Sequence, residues 1–375
     1  MSNKPKVIIG LSGGVDSSVG VIKLLEQGYD VEAIFMRNWD SAVNNDVLGN
    51  PDLLEDVCPQ EKDYQDAVKV AEQLGIKLHR IDFIEEYWNE VFTYFLNEYK
   101  KNRTPNPDIL CNKEIKFKSF LLKAEEMGAD YIAMGHYARV IHDGDKHYLL
   151  RGVDRNKDQT YFLCQLTSKQ ISKALFPIGD LEKKEVRRIA NEFNLAVANK
   201  KDSTGVCFIG ERNFKEFLKN YLPANPGNMV TSSGEVVGRH EGIMYYTIGQ
   251  RHGLGIGGPG DAWFVIGKNP QKNELVVGQG DEQELLYANR AIIRGINIIN
   301  GPLENSDTLS AKFRYRAPDV SIKIKYLNED TIEVFMNEPV KAVTPGQACV
   351  FYDGEYCLGG GTIDEVYMNE VKRGY

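Results

Sequence analysis

The sequence contains no apolar run approaching the ~20 residues of a membrane-spanning helix, which argues against a helical membrane protein. It has no Cys-x-x-Cys pair and no paired-histidine motif, and so no signature of a zinc site. Its six cysteines are scattered over 375 residues without the spacing of a disulfide framework, which favours a reducing compartment. No signal-peptide core precedes the first apolar run, so we expect a cytoplasmic protein without a membrane partner.

Length, composition and charge set further expectations. A chain of 375 residues exceeds one typical core, and two or three domains are expected. Apolar residues make up 42% and charged residues 26%, as in soluble globular proteins. The net charge of −8 argues mildly against a nucleic-acid partner, but it leaves room for a local basic face.

One stretch near the start has the pattern of a phosphate-binding loop. Val7, Ile8 and Ile9 predict a buried parallel strand, and an apolar helical face begins at Val19. The glycine-rich loop between them would point backbone N–H groups and a helix N-terminus at an anion. It is not a Walker motif, and its Ser-Gly-Gly-Val-Asp-Ser resembles the pyrophosphate loop of N-type ATP pyrophosphatases. A plain glycine turn is the structural alternative.

Up to about residue 200 the sequence alternates strand and helix patterns. Strands are predicted over 31–36, 77–83 and 131–134, and helices over 61–74, 84–101 and 112–128. This alternation predicts an α/β domain with a Rossmann-like parallel sheet. Ligands of such sheets bind beyond the carboxyl ends of the strands, where Met36 and Gly135 are placed.

The first notable cysteine, Cys111, follows a loop held by two prolines. We expect a helix to begin near Asn112, which would put Cys111 at a helix N-terminus with Lys113 and Lys116 close by. Both features stabilise a thiolate, as in reactive cysteines. Asp108, three residues earlier, could exchange protons with whatever the cysteine handles. A small buried cysteine is the equally weighted alternative.

The second notable cysteine is Cys207. Glycines on both sides, Gly205 and Gly210, and the preceding Lys200 and Lys201 indicate an accessible, electropositive loop. The sequence alone does not bring Cys207 and Cys111 together.

The remainder of the chain has a β pattern. A helix is predicted over 212–222, and from 227 onward short alternating runs separated by glycine and asparagine predict strands. From about Ala288 these runs suggest a small β-barrel. Residues 290–325 hold seven basic and three acidic side chains, and Tyr315 between two arginines suits base stacking, although a solvated charged strand is the alternative. We therefore predict domains over 1–210, 211–285 and 286–375.

Taken together, the motifs closely resemble those of the tRNA-specific 2-thiouridylases, nearly end to end. The matching segments are Gly-Leu-Ser-Gly-Gly-Val-Asp-Ser at 10–17, Pro-Asn-Pro-Asp-Ile-Leu-Cys-Asn at 105–112, Gly-His-Tyr-Ala at 135–138, Lys-Asp-Gln-Thr-Tyr-Phe-Leu at 157–163 and Ser-Thr-Gly-Val-Cys-Phe-Ile-Gly at 203–210. Each is moderately specific, and five in the right order are very specific.

The resemblance implies an ATP-dependent sulfurtransferase that thiolates C2 of the wobble uridine in tRNA. ATP would contact Gly10, Leu11, Ser12, Gly13, Gly14, Val15, Asp16, Ser17, Met36 and Gly135. The flipped uracil would meet Asn106, Pro107 and Asp108, and the rest of the tRNA would meet His136, Lys157, Asp158, Gln159, Arg314, Tyr315 and Gln347. Cys207 would carry a persulfide, and Cys111 would form a transient disulfide with it.

The resemblance also bears on cofactors and partners. Mg²⁺ would accompany ATP, and a cysteine desulfurase or a sulfur-carrier protein would supply the persulfide sulfur. Some relatives have a cysteine in place of the aspartate and are associated with an iron–sulfur cluster. Since Asp108 holds that position here, no cluster is expected.

Two other classes of function stay open on the residues alone. One is an ATP pyrophosphatase-type ligase or amidotransferase acting on a small carboxylate, which would leave both cysteines and the β region without a task. The other is an RNA-binding module with a vestigial nucleotide fold. The dependence of AMP formation on tRNA would separate all three.

Overall fold

The computed structural model describes residues 4–50, 59–202, 213–306 and 308–375. The strands in chain order are β1 (Lys6–Gly10), β2 (Asp30–Arg37), β3 (Lys77–Asp82), β4 (Tyr131–Ala133), β5 (Ala138–Asp143), β6 (Lys146–Arg151), β7 (Ala174–Leu175), β8 (Gly227–Val230), β9 (Val236–His240), β10 (Phe264–Asn269), β11 (Glu274–Gly278), β12 (Tyr287–Ile298), β13 (Leu309–Lys312), β14 (Val320–Asn328), β15 (Thr331–Lys341), β16 (Ala348–Asp353), β17 (Tyr356–Met368) and β18 (Val371–Lys372).

The helices lie mostly in the first half of the chain. They are α1 (Val15–Glu26), α2 (Pro59–Leu74), α3 (Ile84–Tyr87), α4 (Thr93–Lys100), α5 (Pro107–Leu110), α6 (Phe120–Glu126), α7 (Ser168–Ser172), α8 (Lys183–Glu192) and α9 (Phe214–Lys219). Two π-helical segments, Trp88–Phe92 and Cys111–Ser119, join neighbouring helices into longer runs. None of the helices in the described ranges has the length and apolar character needed to cross a bilayer.

The first layer of the fold is a five-stranded parallel sheet in the order β3-β2-β1-β4-β7. Its central strand β1 is buried on both faces, as an α/β sheet requires. Ile8 packs into an aromatic core on one face, whereas Val7 and Ile9 pack into a second core on the other. The predicted Rossmann-like α/β domain is confirmed.

The sheet order places the topological switch between β1 and β4. The chain leaves β1 toward β2 on one side and later returns to β4 on the other side. Such a crevice at the carboxyl ends of the strands is the usual ligand site of open α/β sheets. The predicted phosphate loop leaves β1 at this edge.

The middle of the chain forms a small four-stranded sheet in the order β10-β11-β8-β9. Its core contains Met229, Val265 and Leu275. The glycine run at 253–258 is a formal Gly-x-Gly-x-x-Gly, but it leads into the strand β10 and lacks the helix that a dinucleotide-binding motif requires.

The last third forms a closed barrel. Pairing runs from β12 through β15, β14, β13, β16 and β17, and β17 pairs back with β12. Closure leaves these six strands without a free edge and surrounds a core that includes Ile293, Val334 and Phe351. The predicted β-barrel is confirmed.

One contact crosses the predicted domain boundaries. The hairpin β5–β6 pairs with β17, with Leu149 opposite Cys357 and Leu150 opposite Tyr356. A piece of the first predicted domain therefore extends the sheet of the barrel. The boundaries near 210 and 285 stay a prediction.

Candidate active site

The phosphate loop has the backbone shape that its sequence predicted. Gly13 adopts φ +71°, a conformation that L side chains rarely adopt, and an added Cβ would lie 2.1 Å from the carbonyl oxygen of Asp63. Gly14 precedes the 12-residue helix α1 and offers no side-chain cap to its first N–H groups. A helix N-terminus of this kind favours an anion, so the loop fits a nucleotide's phosphates.

Serine hydroxyls hold the loop closed on itself. The Oγ of Ser17 accepts from the backbone N–H of Ser12 (3.2 Å) and donates to the carbonyl of Gly14 (3.2 Å). Ser18 donates to the same carbonyl at 2.8 Å. These bonds fix the turn before any ligand arrives, which reduces the entropy lost on binding.

The predicted nucleotide contacts come together at the sheet edge. A Cβ on Gly10 would lie 2.8 Å from the sulfur of Met134 and 3.2 Å from the Cε of Met36. A Cβ on Gly135 would lie 2.9 Å from the backbone nitrogen of Ser17. The two glycines thus leave room for close packing beside the loop, while their contact with ATP stays a prediction.

Asp16 lies in a cluster of charges that sequence reasoning missed. Lys183 donates to both its carboxylate oxygens (2.7 and 2.9 Å), and the Tyr137 hydroxyl donates to Oδ1 (2.8 Å). Lys183 also contacts Asp202 at 2.8 Å, and Asp202 is paired with Lys157 (2.8 Å). The signal for Lys183 was weak, because it opens a helix 167 residues away from Asp16.

The cluster changes the acidity of its members. Burial raises the pKa of the Tyr137 hydroxyl, and the charge of Asp16 raises it further, so Tyr137 keeps the proton that it donates to Asp16. Partial burial opposes ionisation of Asp202, but hydrogen bonds from Lys157 and Lys183 outweigh it and lower the pKa of Asp202 to about 2. Asp202 is therefore a carboxylate throughout the physiological pH range.

A second lysine, Lys200, connects the phosphate loop to helix α2. Lys200 donates to the carbonyl of Gly13 (3.0 Å) and to Asp63 (2.6 Å) and Asp66 (2.8 Å) on α2. Its own partial burial disfavours the charge, yet the two carboxylates raise the pKa of Lys200 above its ordinary value. The left-handed turn at Gly13 is thereby tied to helix α2.

The residues beside the loop fit a magnesium ion that arrives with a nucleotide. No group of three or more His, Cys, Asp or Glu side chains in the described ranges could hold a metal ion by itself. Asp16 and Asp202 do offer carboxylate oxygens next to the loop. Mg²⁺ characteristically keeps several waters and takes one or two protein carboxylates plus the substrate's phosphates, and these two aspartates meet that requirement.

The structure corrects the predicted surroundings of Cys111. The helix does not begin near Asn112. It begins at Pro107, and the Asn106 side chain caps it by accepting from the N–H of Asp108 (3.2 Å). Cys111 starts the following π-helical segment and is only 1% exposed, within the aromatic core. The helix terminus therefore serves Asp108 and not the thiol, and the reactive role of Cys111 stays a prediction. Cys207 lies outside the described residues.

The π-helical segment is held by one side chain of α7. Gln170 donates to the carbonyls of Lys113 (3.2 Å) and Phe117 (2.9 Å), which the widened turn leaves available. Gln170 also closes the capping box with Thr167. Segments of this kind are common at functional sites, in agreement with the motif around Cys111.

His136, predicted to contact tRNA, is buried. It is 8% exposed, between the rings of Phe117 and Phe176 (6.1 and 6.0 Å between centroids). Burial, with a smaller effect of the Lys116 charge, lowers the pKa of His136 well below its usual value. Its Nδ1 has no hydrogen-bond partner in the described part of the chain. His136 is therefore a neutral imidazole with an unused polar atom.

The segment 157–159, also predicted to contact tRNA, makes internal bonds. Lys157 pairs with Asp202, and the side chain of Gln159 accepts from the N–H of Tyr137 (3.0 Å). Asp158 is 5% exposed and accepts from the N–H of Gly152 (3.1 Å) and from Thr160. These bonds position the charge cluster beside the phosphate loop.

The arginine and tyrosine predicted to contact tRNA from the barrel are likewise turned inward. Arg314 donates to the carbonyl of Ile248 and to the hydroxyl of Thr344, both at 2.8 Å. Tyr315 packs against Phe162 with 4.4 Å between ring centroids. Part of the predicted basic face is also neutralised internally. Arg290 pairs with Glu333 and Arg294 pairs with Asp364, whereas Arg316, Lys323 and Lys325 are exposed.

Replacing Asp158 with asparagine tests whether this residue supports the fold or touches tRNA. Asparagine replaces one of the two oxygens that accept from the Thr160 hydroxyl with an N–H group, and it removes the charge that faces buried Arg151 (3.6 Å). We expect the free energy of unfolding, measured with urea, to fall by about 1–3 kcal/mol. The matched control Asp180→Asn, whose side chain is 82% exposed, should change it by less than about 0.5 kcal/mol. Unchanged stability with weakened tRNA binding in Asp158→Asn would instead assign the side chain to the tRNA surface.

The parallel sheet with its glycine loop at the switch point has the form of a nucleotide-binding α/β domain. Family models match residues 5–211 (tRNA methyl transferase HUP domain), 215–279 (tRNA methyl transferase PRC-barrel domain) and 289–363 (aminomethyltransferase beta-barrel domain).

Full-length relatives identify the family. A tRNA-specific 2-thiouridylase MnmA of Acholeplasma laidlawii is 58% identical over 99% of this chain and 100% of its own. The Staphylococcus saprophyticus protein of the same name is 57% identical over the whole of both chains, and that of Bacillus cytotoxicus is 54% identical over 100% of this chain and 99% of its own. The chain belongs to the family of tRNA-specific 2-thiouridylases.

Solved structures add nothing to this assignment. A 4-thiouridine synthetase–RNA complex with bound ATP covers 52% of this chain and 43% of its own at 14% identity. Its TM-score of 0.31 is too low to support any conclusion about this chain.

Proposed function

We propose that this chain is a tRNA uridine 2-sulfurtransferase that uses ATP to replace O2 of the wobble uridine with sulfur. The observation that carries the proposal is the phosphate loop, with Gly13 at φ +71° and Asp16 held by Lys183, at the sheet edge of a chain whose full-length relatives are 2-thiouridylases. An ATP pyrophosphatase loop activates an oxygen as an adenylate. The cysteine motifs supply the sulfur chemistry that follows.

The C2 carbonyl of uracil reacts poorly with nucleophiles, and adenylation of O2 makes it reactive. O2 attacks the α-phosphorus of ATP, the bond between the α- and β-phosphates breaks, and pyrophosphate leaves. Asp108 takes the proton that N3 gives up as the O2-adenylate forms. Its half-buried position at the capped N-terminus of α5 supports this role, because a helix N-terminus stabilises the carboxylate before the proton arrives.

Sulfur transfer then balances across two cysteines. The terminal sulfur of a persulfide on Cys207 adds to C2, and AMP leaves with the original O2. The thiolate of Cys111 attacks the Cys207 sulfur, the bond to the transferred sulfur breaks, and thiouridine is released. A disulfide between the two cysteines remains, and an external dithiol reduces it. The wobble base has to leave its stack to reach this site.

The residues around the loop prepare the nucleotide site. Mg²⁺, when bound with ATP, neutralises the triphosphate charge during attack. Asp16 would hold that ion directly or through water, and the N-terminus of α1 with Ser12 and Ser17 would bind the phosphates. When no Mg²⁺ is bound, Lys183 neutralises the charge of Asp16.

Partners in this proposal are tRNA with a wobble uridine and a cysteine desulfurase or sulfur-carrier protein. We place the enzyme in the cytoplasm without a membrane partner. We propose no iron–sulfur cluster, since Asp108 stands where the relatives associated with a cluster have a cysteine.

Mass analysis of tRNA nucleosides tests the proposal. The protein is incubated with unmodified tRNA, ATP, Mg²⁺ and a persulfide donor, and we expect 2-thiouridine and AMP in equal amounts, both absent without ATP. AMP formed equally well without tRNA would support a ligase acting on a small carboxylate. tRNA binding without AMP would support an RNA-binding module.

A further inference from the structure

The segment between α4 and α5, residues 102–106, joins all three parts of the molecule. It leads directly to Asp108 and Cys111. Residues of the barrel and of the middle four-stranded sheet form hydrogen bonds with it. From the barrel, the backbone N–H of Thr104 donates to the carbonyl of Pro345 (3.1 Å), and the side chain of Gln347 donates to the carbonyl of Thr104 (2.7 Å).

The packing of this segment against the barrel is tight. A Cβ on Gly346 would lie 2.9 Å from the nitrogen of Thr104 and 3.0 Å from the Cβ of Arg103. Arg103 itself is ion-paired with Asp364 on β17 and lies 3.6 Å from the buried carboxylate of Glu98. The barrel therefore fixes the middle of the segment with little room for movement.

The middle domain reaches the start of the segment through Lys268. This residue lies on β10, is 7% exposed, and donates from Nζ to the carbonyl of Asn102 at 2.7 Å. No carboxylate in the described ranges lies within ion-pair distance of its Nζ. Burial lowers the pKa of Lys268 to about 7.

A buried amine without a countercharge costs stability, and a methionine of similar shape would not have this cost. Groups that are retained at such a cost are typical of functional sites. For Lys268, the geometry indicates that this function is its hydrogen bond to the carbonyl of Asn102. Asn102 adopts φ +62° where the chain turns out of α4, so the carbonyl that Lys268 contacts belongs to the residue that forms this turn.

We propose that Lys268 is a positioning residue, which holds the turn at Asn102 so that the segment 102–106 presents Asp108 and Cys111 to the target uridine. This inference rests on the proposed function. Lys268 holds Asn102 at the start of the segment and the barrel holds its middle, so the two contacts together set where the segment ends. The segment ends at Asn106, which caps the helix that carries Asp108 (3.2 Å to its N–H). Misplacement by about 1 Å is enough to slow a reaction by up to about a hundredfold.

Two variants of Lys268, whose side chains match each other in length and are one atom shorter than lysine, test the proposal. Lys268→Met removes the donor and the buried amine, whereas Lys268→Gln keeps an N–H donor. We expect Lys268→Met to melt no lower than the parent protein and to bind tRNA within about threefold, while its kcat for 2-thiouridine formation falls at least about tenfold. Lys268→Gln should recover part of kcat. Exposed Lys272 in the same hairpin provides the control, because Lys272→Met should leave melting temperature and kcat unchanged.

The outcomes separate this inference from the proposed function. A parent protein that forms no 2-thiouridine would overturn the proposed function. An active parent with an unchanged kcat in Lys268→Met would overturn the positioning role alone. Melting temperature and kcat that fall in parallel in both variants would show that Lys268 only supports the fold.

Discussion

Replacing Cys111 with alanine is expected to abolish multiple-turnover thiolation, by at least about a thousandfold, while tRNA-dependent pyrophosphate exchange persists. Activation of O2 uses ATP with Mg²⁺, Asp108 and the base, and it needs no cysteine. Release of sulfur from Cys207 needs the Cys111 thiolate. Cys207→Ala should also abolish thiolation, but at the earlier step, because no persulfide can form to add to C2.

A matched control separates chemistry from packing. Cys164 is fully buried in the same core as Cys111, and burial raises the pKa of its thiol well above the ordinary value, so it stays a thiol. Cys164→Ala removes the same volume and should keep thiolation. Equal losses in Cys111→Ala and Cys164→Ala would assign Cys111 to the core. That outcome would support the alternative that Cys111 is a small buried cysteine.

The second large effect is expected for Gly13→Ala. Alanine at φ +71° is strained, and its Cβ would overlap the carbonyl of Asp63, 2.1 Å away. Either α2 moves or the loop opens, and either change separates Lys200 from the Gly13 carbonyl. We expect the free energy of unfolding to fall by about 2 kcal/mol or more and ATP affinity, measured calorimetrically, to fall at least about tenfold.

The neighbouring glycine provides the comparison for stability. Gly14 has φ −100°, and the nearest atom to an added Cβ is the Oγ of Ser12 at 3.4 Å, an ordinary contact. The free energy of unfolding of Gly14→Ala should therefore lie within about 0.5 kcal/mol of the parent protein's value. If Gly13→Ala were equally stable and bound ATP normally, the left-handed turn would not be required for the site.

Local patterns predicted the local structure well. The strand and the tight turn after Val7 form where expected, whereas the helix begins at Val15, before the apolar helical face predicted from Val19. The start of the helix near Cys111 was misplaced, although the signal was present. Asn106 followed by Pro107 is a helix cap with proline at the first position, but the prolines were interpreted as part of a rigid loop.

Contacts between distant parts of the chain could not be predicted. Lys183 and Tyr137 meet Asp16 across 167 and 121 residues, and no periodicity encodes such a pairing. The same limit explains the barrel's basic face. A sequence shows the charges of Arg290 and Arg294 but not Glu333 and Asp364, which neutralise them. The burial of Asp158 and the internal hydrogen bonds of Arg314 were hidden for the same reason.

The fate of the uracil oxygen tests the central claim most directly. tRNA labelled with ¹⁸O at C2 of the wobble uridine is converted by the enzyme with ATP, Mg²⁺ and a persulfide donor, and AMP is isolated for mass analysis. If O2 is adenylated before sulfur adds, each 2-thiouridine formed yields one AMP that carries one ¹⁸O in its phosphate. Unlabelled AMP beside fully formed 2-thiouridine would contradict activation through O2.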